Sequence, residues 1–153
     1  MRTITMVIFL FLVSLFPLST KAQAPVPPQI PQTVTEEEVR QFMEKYTGRF
    51  MKMDLDAFMY LFSKEAVENR MLPYADIRNA YQKTFANSDA FRYQLEIYSI
   101  QTYQKSAFVS GRYELTQFLK GKKKIFRGNI QWELIREIGS LNIKEINYGW
   151  DLK

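Results

Sequence analysis

Residues 106–137 read SAFVSGRYELTQFLKGKKKIFRGNIQWELIRE, in which apolar and polar side chains alternate on both sides of Gly121. Alternation with a period of two indicates strands, and a glycine between two such runs predicts a hairpin turn because it accepts a positive φ. We place the turn at Gly121-Lys122, which sets Gly111 opposite Trp132. In this register one face of the hairpin is apolar and the other is polar, so the hairpin is expected to form one wall of a core.

The polar face of this hairpin predicts ion pairs between its two strands. In the same register Glu114 lies diagonal to Arg127, and Arg112 lies diagonal to Glu133. Diagonal neighbours on one face of an antiparallel pair are within reach of long side chains. Because exposed ion pairs stabilise a fold only slightly, these acids are interpreted as surface residues.

The residues before the hairpin have a helical pattern. Thr35 and Glu38 form a capping-box signature, and apolar side chains then recur at helical spacing. Asp54 predicts the cap of a short second helix, and Pro73 predicts the start of a third. The helices therefore precede the strands along the chain.

Two breaks in the alternation predict β-bulges. One lies between residues 97 and 98, and the other lies in the last strand between Ile143 and Ile146. Bulges bend a sheet, so the sheet is expected to be strongly curved. The predicted fold class is α+β, with three N-terminal helices packed on a strongly bent antiparallel sheet of four to five strands.

The first residues predict export. Residues 1–22 combine a basic start, an apolar stretch at 4–18 and small residues before a cut after Ala22, which is typical of a secretory signal peptide. The alternative is a retained anchor, although the apolar stretch is shorter than the ~20 residues that span a bilayer. Residues 23–34 are interpreted as a proline-rich linker and residues 35–153 as the domain. The protein is expected to be periplasmic or secreted.

The composition excludes several kinds of chemistry. The chain has neither cysteine nor histidine, which removes disulfides, thiolate nucleophiles and the commonest general base and metal ligand. Neither a metal nor a cofactor is expected. Loss of Arg2 and Lys21 with the signal peptide lowers the net charge of +5 by two, to +3. This charge is too modest for a nucleic-acid-binding surface.

Several short packing motifs occur together in this chain. They are Leu55-Asp56-Ala57-Phe58 with Leu61-Phe62, Ile77-Arg78, Gly111-Arg112-Tyr113, Trp132-Glu133-Leu134 and Leu141-Asn142-Ile143. In these motifs the chain from Thr35 to Lys153 resembles the nuclear transport factor 2-like superfamily, the cone-shaped α+β fold of ketosteroid isomerase and polyketide cyclases. The resemblance implies a cavity between the curved sheet and the helices, and a homodimer that forms through the sheet.

The catalytic positions implied by the resemblance are only partly matched. The aspartate that acts as general base in ketosteroid isomerase-like members falls on Asn69, and an amide cannot abstract a proton. Their tyrosine donor falls on Tyr46, whereas their second acid falls near Glu133 on the polar face. Glu68 is the remaining candidate catalytic acid, because a carboxyl group buried in an apolar cavity would have a raised pKa.

Aromatic residues dominate the predicted inward faces, where they either fill a core or line a pocket. The second interpretation predicts a site for an apolar or aromatic small molecule. The predicted pocket residues are Tyr46, Phe50, Tyr81, Tyr113, Trp132 and Tyr148.

Lysines cluster at the predicted hairpin turn. Lys120, Lys122, Lys123 and Lys124 form either a solvated turn or a contact site for an anionic surface of the cell envelope, such as lipid headgroups.

The function predicted from these features is an exported module that binds a small ligand or another protein, with no evident catalytic activity. The alternative is a cofactor-independent isomerase, cyclase or dehydratase-like enzyme that acts on a hydrophobic small molecule in the cone.

Overall fold

The computed structural model describes residues 33–151, which form three helices and one sheet of six strands. The helices are α1 (Glu36–Lys52), α2 (Leu55–Met59) and α3 (Tyr74–Ala86). The strands are β1 (Phe62–Glu68), β2 (Leu72–Pro73), β3 (Ala90–Thr102), β4 (Ser106–Leu119), β5 (Lys122–Glu137) and β6 (Ser140–Tyr148). The predicted signal peptide and most of the predicted linker lie outside these residues.

The strands lie in the order β2-β1-β6-β5-β4-β3. β1 pairs with β6 in parallel, and the other neighbouring strands are antiparallel. The α+β class is therefore confirmed, whereas the expectation of four to five strands, all antiparallel, is wrong. The missed strand is β2, whose two residues are too short to show an alternation, and the parallel pairing of β1 with β6 was also missed. None of the helices within the described range is long and apolar enough to cross a membrane.

The predicted start of α1 is confirmed. Thr35 accepts a hydrogen bond from the Glu38 backbone, the Glu38 carboxylate accepts one from the Thr35 backbone, and the two together form a capping box. Met53 ends the helix in a left-handed conformation with φ 54°. The stripe of buried residues along α1 consists of Val39, Phe42, Met43, Tyr46 and Phe50.

The β4–β5 turn is Lys120-Gly121, so the predicted turn at Gly121-Lys122 is wrong by one residue. Both turn residues have a positive φ, 48° at Lys120 and 73° at Gly121, as in the type I′ turns that match strand twist. The Lys120 backbone N–H donates a hydrogen bond to Asp89 Oδ2 at 2.6 Å. This contact from outside the hairpin fixes Lys120 in a conformation that a non-glycine residue rarely adopts.

The turn shifts the hairpin register by two residues. Trp132 pairs with Val109, and Gly111 pairs with Ile130. Because side chains on a strand alternate with a period of two, the shift changes the partners but leaves every side chain on its predicted face. The predicted apolar face of the hairpin is therefore confirmed.

The same shift changes the ion pairs on the polar face. Arg127 Nε and Glu114 Oε2 form the predicted pair at 2.6 Å, but from directly opposed positions. The predicted contact between Arg112 and Glu133 is wrong, since Arg112 pairs with Asp151 beyond the end of β6.

Both predicted bulges are confirmed. The pairing of β3 with β4 shifts register between Ile97 and Ser99. The pairing of β5 with β6 shifts where Leu134 pairs with Ile143 but Glu133 pairs with Glu145. The bulges bend the sheet, and α1 packs on β3 while α3 packs on β1.

Trp132 lies at the centre of the core. Its side chain is 1% exposed, and its ring meets the ring of Tyr46 edge to face at a centroid distance of 5.6 Å. The core extends back to Val34, which is 1% exposed although its position falls in the predicted linker. Trp132 and Tyr46 are thus packed against each other without a void between them.

Candidate functional site

A cavity of ≈ 290 Å³ lies between the two longer helices and strands β3 to β6. It is lined by 13 residues, nine of them aromatic. The aromatic residues are Tyr46, Phe50, Tyr81, Phe91, Tyr93, Tyr113, Phe126, Tyr148 and Trp150. Ligand pockets are commonly apolar and aromatic with a few placed polar groups, in volumes of ~300–1,000 Å³. At ≈ 290 Å³ the cavity lies at the lower end of this range, which suits a small ligand.

The structure brings five of the six predicted pocket residues to the cavity: Tyr46, Phe50, Tyr81, Tyr113 and Tyr148. Trp132 does not line it and belongs to the core. The cavity is also lined by Tyr93, whose position on an inward face of β3 follows from the sequence, and by Trp150, which follows the last strand and was not predicted as a pocket residue. Whether the five residues contact a ligand stays a prediction.

Glu68 is the last residue of β1 and is 4% exposed. The parallel pairing of β1 with β6 sets Glu68 opposite Ile146, close to Tyr148. The Tyr148 hydroxyl donates a hydrogen bond to Glu68 Oε1 at 2.6 Å, while Oε2 is buried without a partner. Glu68 therefore lies directly behind the tyrosine wall of the cavity, one hydrogen bond away from it.

Asn69, the next residue along the chain, holds the backbone of the same tyrosine. It has a φ of 50°, and its Oδ1 accepts a hydrogen bond from the Tyr148 backbone N–H at 2.9 Å. Glu68 thus holds the hydroxyl of Tyr148 and Asn69 holds its backbone. Asn69 therefore fixes the backbone of a tyrosine that lines the cavity.

Burial sets the protonation of this site. It raises the pKa of Glu68, an effect that the hydrogen bond from Tyr148 opposes. Burial, followed by the charge of Glu68, raises the pKa of Tyr81 and of Tyr148. Burial and the charge of Asp151 raise the pKa of Tyr113 to about 12. The three hydroxyls are consequently neutral hydrogen-bond donors at physiological pH.

Tyr46 and Tyr93 form a second pair of hydroxyl-bearing rings. Their centroids lie 5.8 Å apart in an edge-to-face arrangement. Burial is the main cause that raises the pKa of both phenols. The inner end of the cavity is therefore apolar in its walls and rich in neutral hydroxyls.

We expect Glu68→Gln to increase the free energy of unfolding at pH 8 by ~1–3 kcal/mol, because it removes a buried carboxylate that is only partly hydrogen-bonded. Since the pKa of Glu68 is higher in the folded than in the unfolded state, its contribution to stability is fully present below pH 4.5 and is lost as the pH rises through the folded pKa. The two proteins should therefore be about equally stable near pH 4 and diverge above it. Urea unfolding across this pH range measures the difference.

Glu65→Gln is the matched control, since Glu65 lies on the same strand and is exposed. It should change stability by less than ~0.5 kcal/mol at every pH. A stability difference between wild type and Glu68→Gln that does not vary with pH would show that Glu68 has no raised pKa.

The mouth of the cavity is formed by the segment after β6. The Gly149 N–H donates to Asn129 O at 3.1 Å and the Asp151 N–H to Arg127 O at 2.8 Å, which extends the pairing with β5. Between them Trp150, 66% exposed, packs on Phe126 at a centroid distance of 5.9 Å. The segment thus places an aromatic ring at the edge of the opening.

The other predicted residues lie elsewhere. Lys120, Lys122, Lys123 and Lys124 are exposed around the β4–β5 turn and do not line the cavity. Glu133 forms an ion pair with Lys144 at 3.1 Å on the outer face of the sheet. Within residues 33–151 no group of three or more acidic side chains is placed to hold a metal ion.

Comparison with solved structures identifies the fold. A nuclear transport factor 2-like superfamily protein from Salmonella enterica superposes with a TM-score of 0.66 at 18% identity, covering 76% of this chain and 91% of its own. A ketosteroid isomerase-like protein from Erwinia carotovora gives 0.65 at 18%, covering 78% and 100%. A candidate scytalone dehydratase from Novosphingobium aromaticivorans gives 0.69 at 10%, covering 76% and 83%.

Comparison with family models and with curated proteins gives no match. At these identities the structural likeness establishes the architecture and leaves the chemistry to the residues of this chain. The chain has the nuclear transport factor 2-like fold.

Proposed function

We propose that this protein binds a small, largely apolar, ring-bearing molecule in the aromatic cavity. The observation that carries the proposal is the lining: nine aromatic side chains surround ≈ 290 Å³, and its polar groups are tyrosine hydroxyls together with Thr84 and Gln117. Aromatic walls bind ring faces, and a few fixed hydroxyls orient a ligand without the cost of burying a new charge. The high pKa values of these phenols keep them as donors.

Filling the cavity tests the proposal. Thr84 lines the cavity from α3, and Thr84→Trp should lower the affinity for a ring-bearing probe such as indole more than tenfold, because the new ring occupies the same space. Affinity is measured by isothermal titration calorimetry. Gln82→Trp introduces the same side chain at an exposed position of the same helix and should leave the affinity unchanged.

Two outcomes would contradict the proposal. One is equal binding of indole by both variants and the wild type. The other is the absence of binding for indole, phenol and a bicyclic ketone alike at millimolar concentrations.

A second candidate function is proton transfer on the bound molecule. The observation that favours it is the buried carboxyl group of Glu68, which is hydrogen-bonded to a cavity tyrosine and has a raised pKa. A buried acid with a raised pKa is a candidate general acid or base. Exchange of the α-protons of a bound cyclic ketone with solvent deuterium, lost in Glu68→Gln, would support this function over binding alone.

Export, dimerisation and envelope contact complete the proposed function. The signal-peptide pattern of residues 1–22 supports a periplasmic or secreted location, and N-terminal sequencing of the exported protein should begin at Gln23.

The exposed rings of Phe108 and Tyr103, 45% and 50% exposed, support a homodimer through the sheet. Monomers alone in analytical ultracentrifugation at high micromolar concentration would contradict it. The lysines around the β4–β5 turn are proposed to contact an anionic surface of the cell envelope. If the protein still associates with the envelope after Lys122, Lys123 and Lys124 are replaced by serine, this proposal is wrong.

A further inference from the structure

The charges around the cavity are one-sided. Its lining contains neither lysine nor arginine, and none of the ion pairs among the described residues involves Glu68. Arg70, two residues after Glu68, is a cation on the same stretch of chain, but it is 86% exposed and lies 3.9 Å from Glu145. The carboxyl group behind the cavity therefore has no positive partner from the described part of the chain.

The rings of the lining follow one another around the cavity. Centroid distances are 6.0 Å from Tyr81 to Phe50, 5.3 Å from Phe50 to Tyr93, 6.3 Å from Tyr93 to Tyr113 and 6.4 Å from Tyr113 to Tyr148. Tyr148 is hydrogen-bonded to Glu68, whose charge also acts on Tyr81. The five rings thus form a series of neighbours that ends at Glu68.

We propose that the ligand of this cavity is a small organic cation, with an alkylated ammonium group held among the aromatic rings and its charge balanced by Glu68. The inference rests on the proposed function, since it assigns the ligand class of the same cavity. The face of an aromatic ring carries negative potential, and quaternary ammonium groups are recognised by sets of such faces. An alkylated ammonium needs few hydrogen bonds, which suits the part of the wall where the Tyr113 and Tyr148 hydroxyls already donate to the Gly149 carbonyl and to Glu68.

Anionic and neutral ligands fit the site less well. An anion would meet ring faces and a carboxyl group without any cation in the lining, so its burial would be uncompensated. A neutral ligand would fill the space but leave the charge of the Glu68 carboxylate without compensation. A cation supplies the missing positive charge and makes the buried carboxylate favourable.

The groups that face Glu68 give the expected pH dependence. They are Tyr81 from α3, Tyr148 from β6 and, at longer range, Tyr46 from α1, all neutral at physiological pH. A bound cation favours the ionised carboxyl group, so binding should release a proton when Glu68 starts protonated. Affinity for a cation should therefore rise with pH through the titration of Glu68, while affinity for a neutral compound should not.

Choline and 3,3-dimethylbutan-1-ol are the probes for this inference, since they have nearly the same shape and differ in charge. We expect choline to bind the full mature chain at least about tenfold more tightly in calorimetry at pH 7.5 in phosphate buffer. Glu68→Gln should reduce this preference severalfold, while the exposed neighbour variant Glu65→Gln should retain it. Unfolding curves of both variants verify that they are folded.

The outcomes separate the two proposals. Binding of the neutral alcohol as tightly as choline, or of indole alone, overturns the cation inference and leaves a ring-binding cavity standing. A choline preference that Glu68→Gln leaves intact overturns the role of Glu68. If choline, the alcohol and indole all fail to bind, the cavity is not a ligand site and both proposals fall.

Discussion

Trp132→Ala is expected to lower the free energy of unfolding by ~3–5 kcal/mol, the range for removing a large aromatic side chain from a core. The indole is 1% exposed and packs on Tyr46, which itself touches Phe58 and Tyr93. Removing it leaves a void between α1 and the sheet that these neighbours fill only in part. Because the free energy of unfolding of a whole domain is only ~5–15 kcal/mol, the variant should lose a large part of its stability. Urea unfolding followed by far-ultraviolet circular dichroism measures the loss.

Two substitutions control this experiment. Trp132→Phe retains a ring and removes a buried indole N–H that has no hydrogen-bond partner, so it should cost much less than alanine. Trp150→Ala removes the other tryptophan, which is 66% exposed, and should cost less than ~1 kcal/mol. If Trp150→Ala proves as destabilising as Trp132→Ala, the assignment of Trp132 as the centre of the core is wrong.

Most of the correct predictions rest on two patterns in the sequence: the spacing of apolar residues and the alternation of side chains between the two faces of a strand. The inward face of the β4–β5 hairpin survived a register error of two residues because such a shift preserves the face of every side chain. The bulges at Ile97–Ser99 and near Lys144 were visible as breaks in the same alternation. The capping box at Thr35 is likewise a local pattern, and its contacts lie within four consecutive residues.

Features that depend on distant residues were not predictable in the same way. The β4–β5 turn is fixed by Asp89, 31 residues before Lys120. The partner of Glu68 is Tyr148, 80 residues later, and the two meet only because β1 pairs in parallel with β6. Whether an inward aromatic lines a void or fills the core depends on the curvature of the whole sheet. This is why Trp132, predicted to line the pocket, lies in the core, while Trp150, for which no pocket role was predicted, lines the cavity.

The mouth of the cavity depends on a close approach at Gly128. A Cβ atom at this position would overlap the Gly149 carbonyl oxygen, which is backbone and cannot turn aside as a side chain would. The same oxygen accepts a hydrogen bond from the Tyr113 hydroxyl at 3.3 Å. Tyr113 is the residue that pairs with Gly128 across the hairpin. A side chain at Gly128 therefore disturbs the segment after β6 and a cavity tyrosine together.

We expect Gly128→Ala to lower the free energy of unfolding by ~1–3 kcal/mol, as overpacking does, and to detach Trp150 from Phe126. The indole N–H resonance of Trp150 should then move to the position of a solvated tryptophan while that of Trp132 stays in place. Gly149→Ala is the matched control, since an added Cβ there meets no atom within 4 Å and should change stability by less than ~0.5 kcal/mol. If the Trp150 resonance does not move in Gly128→Ala, the segment after β6 does not pack over Gly128. The assignment of this segment as the aromatic mouth of the cavity would then be wrong.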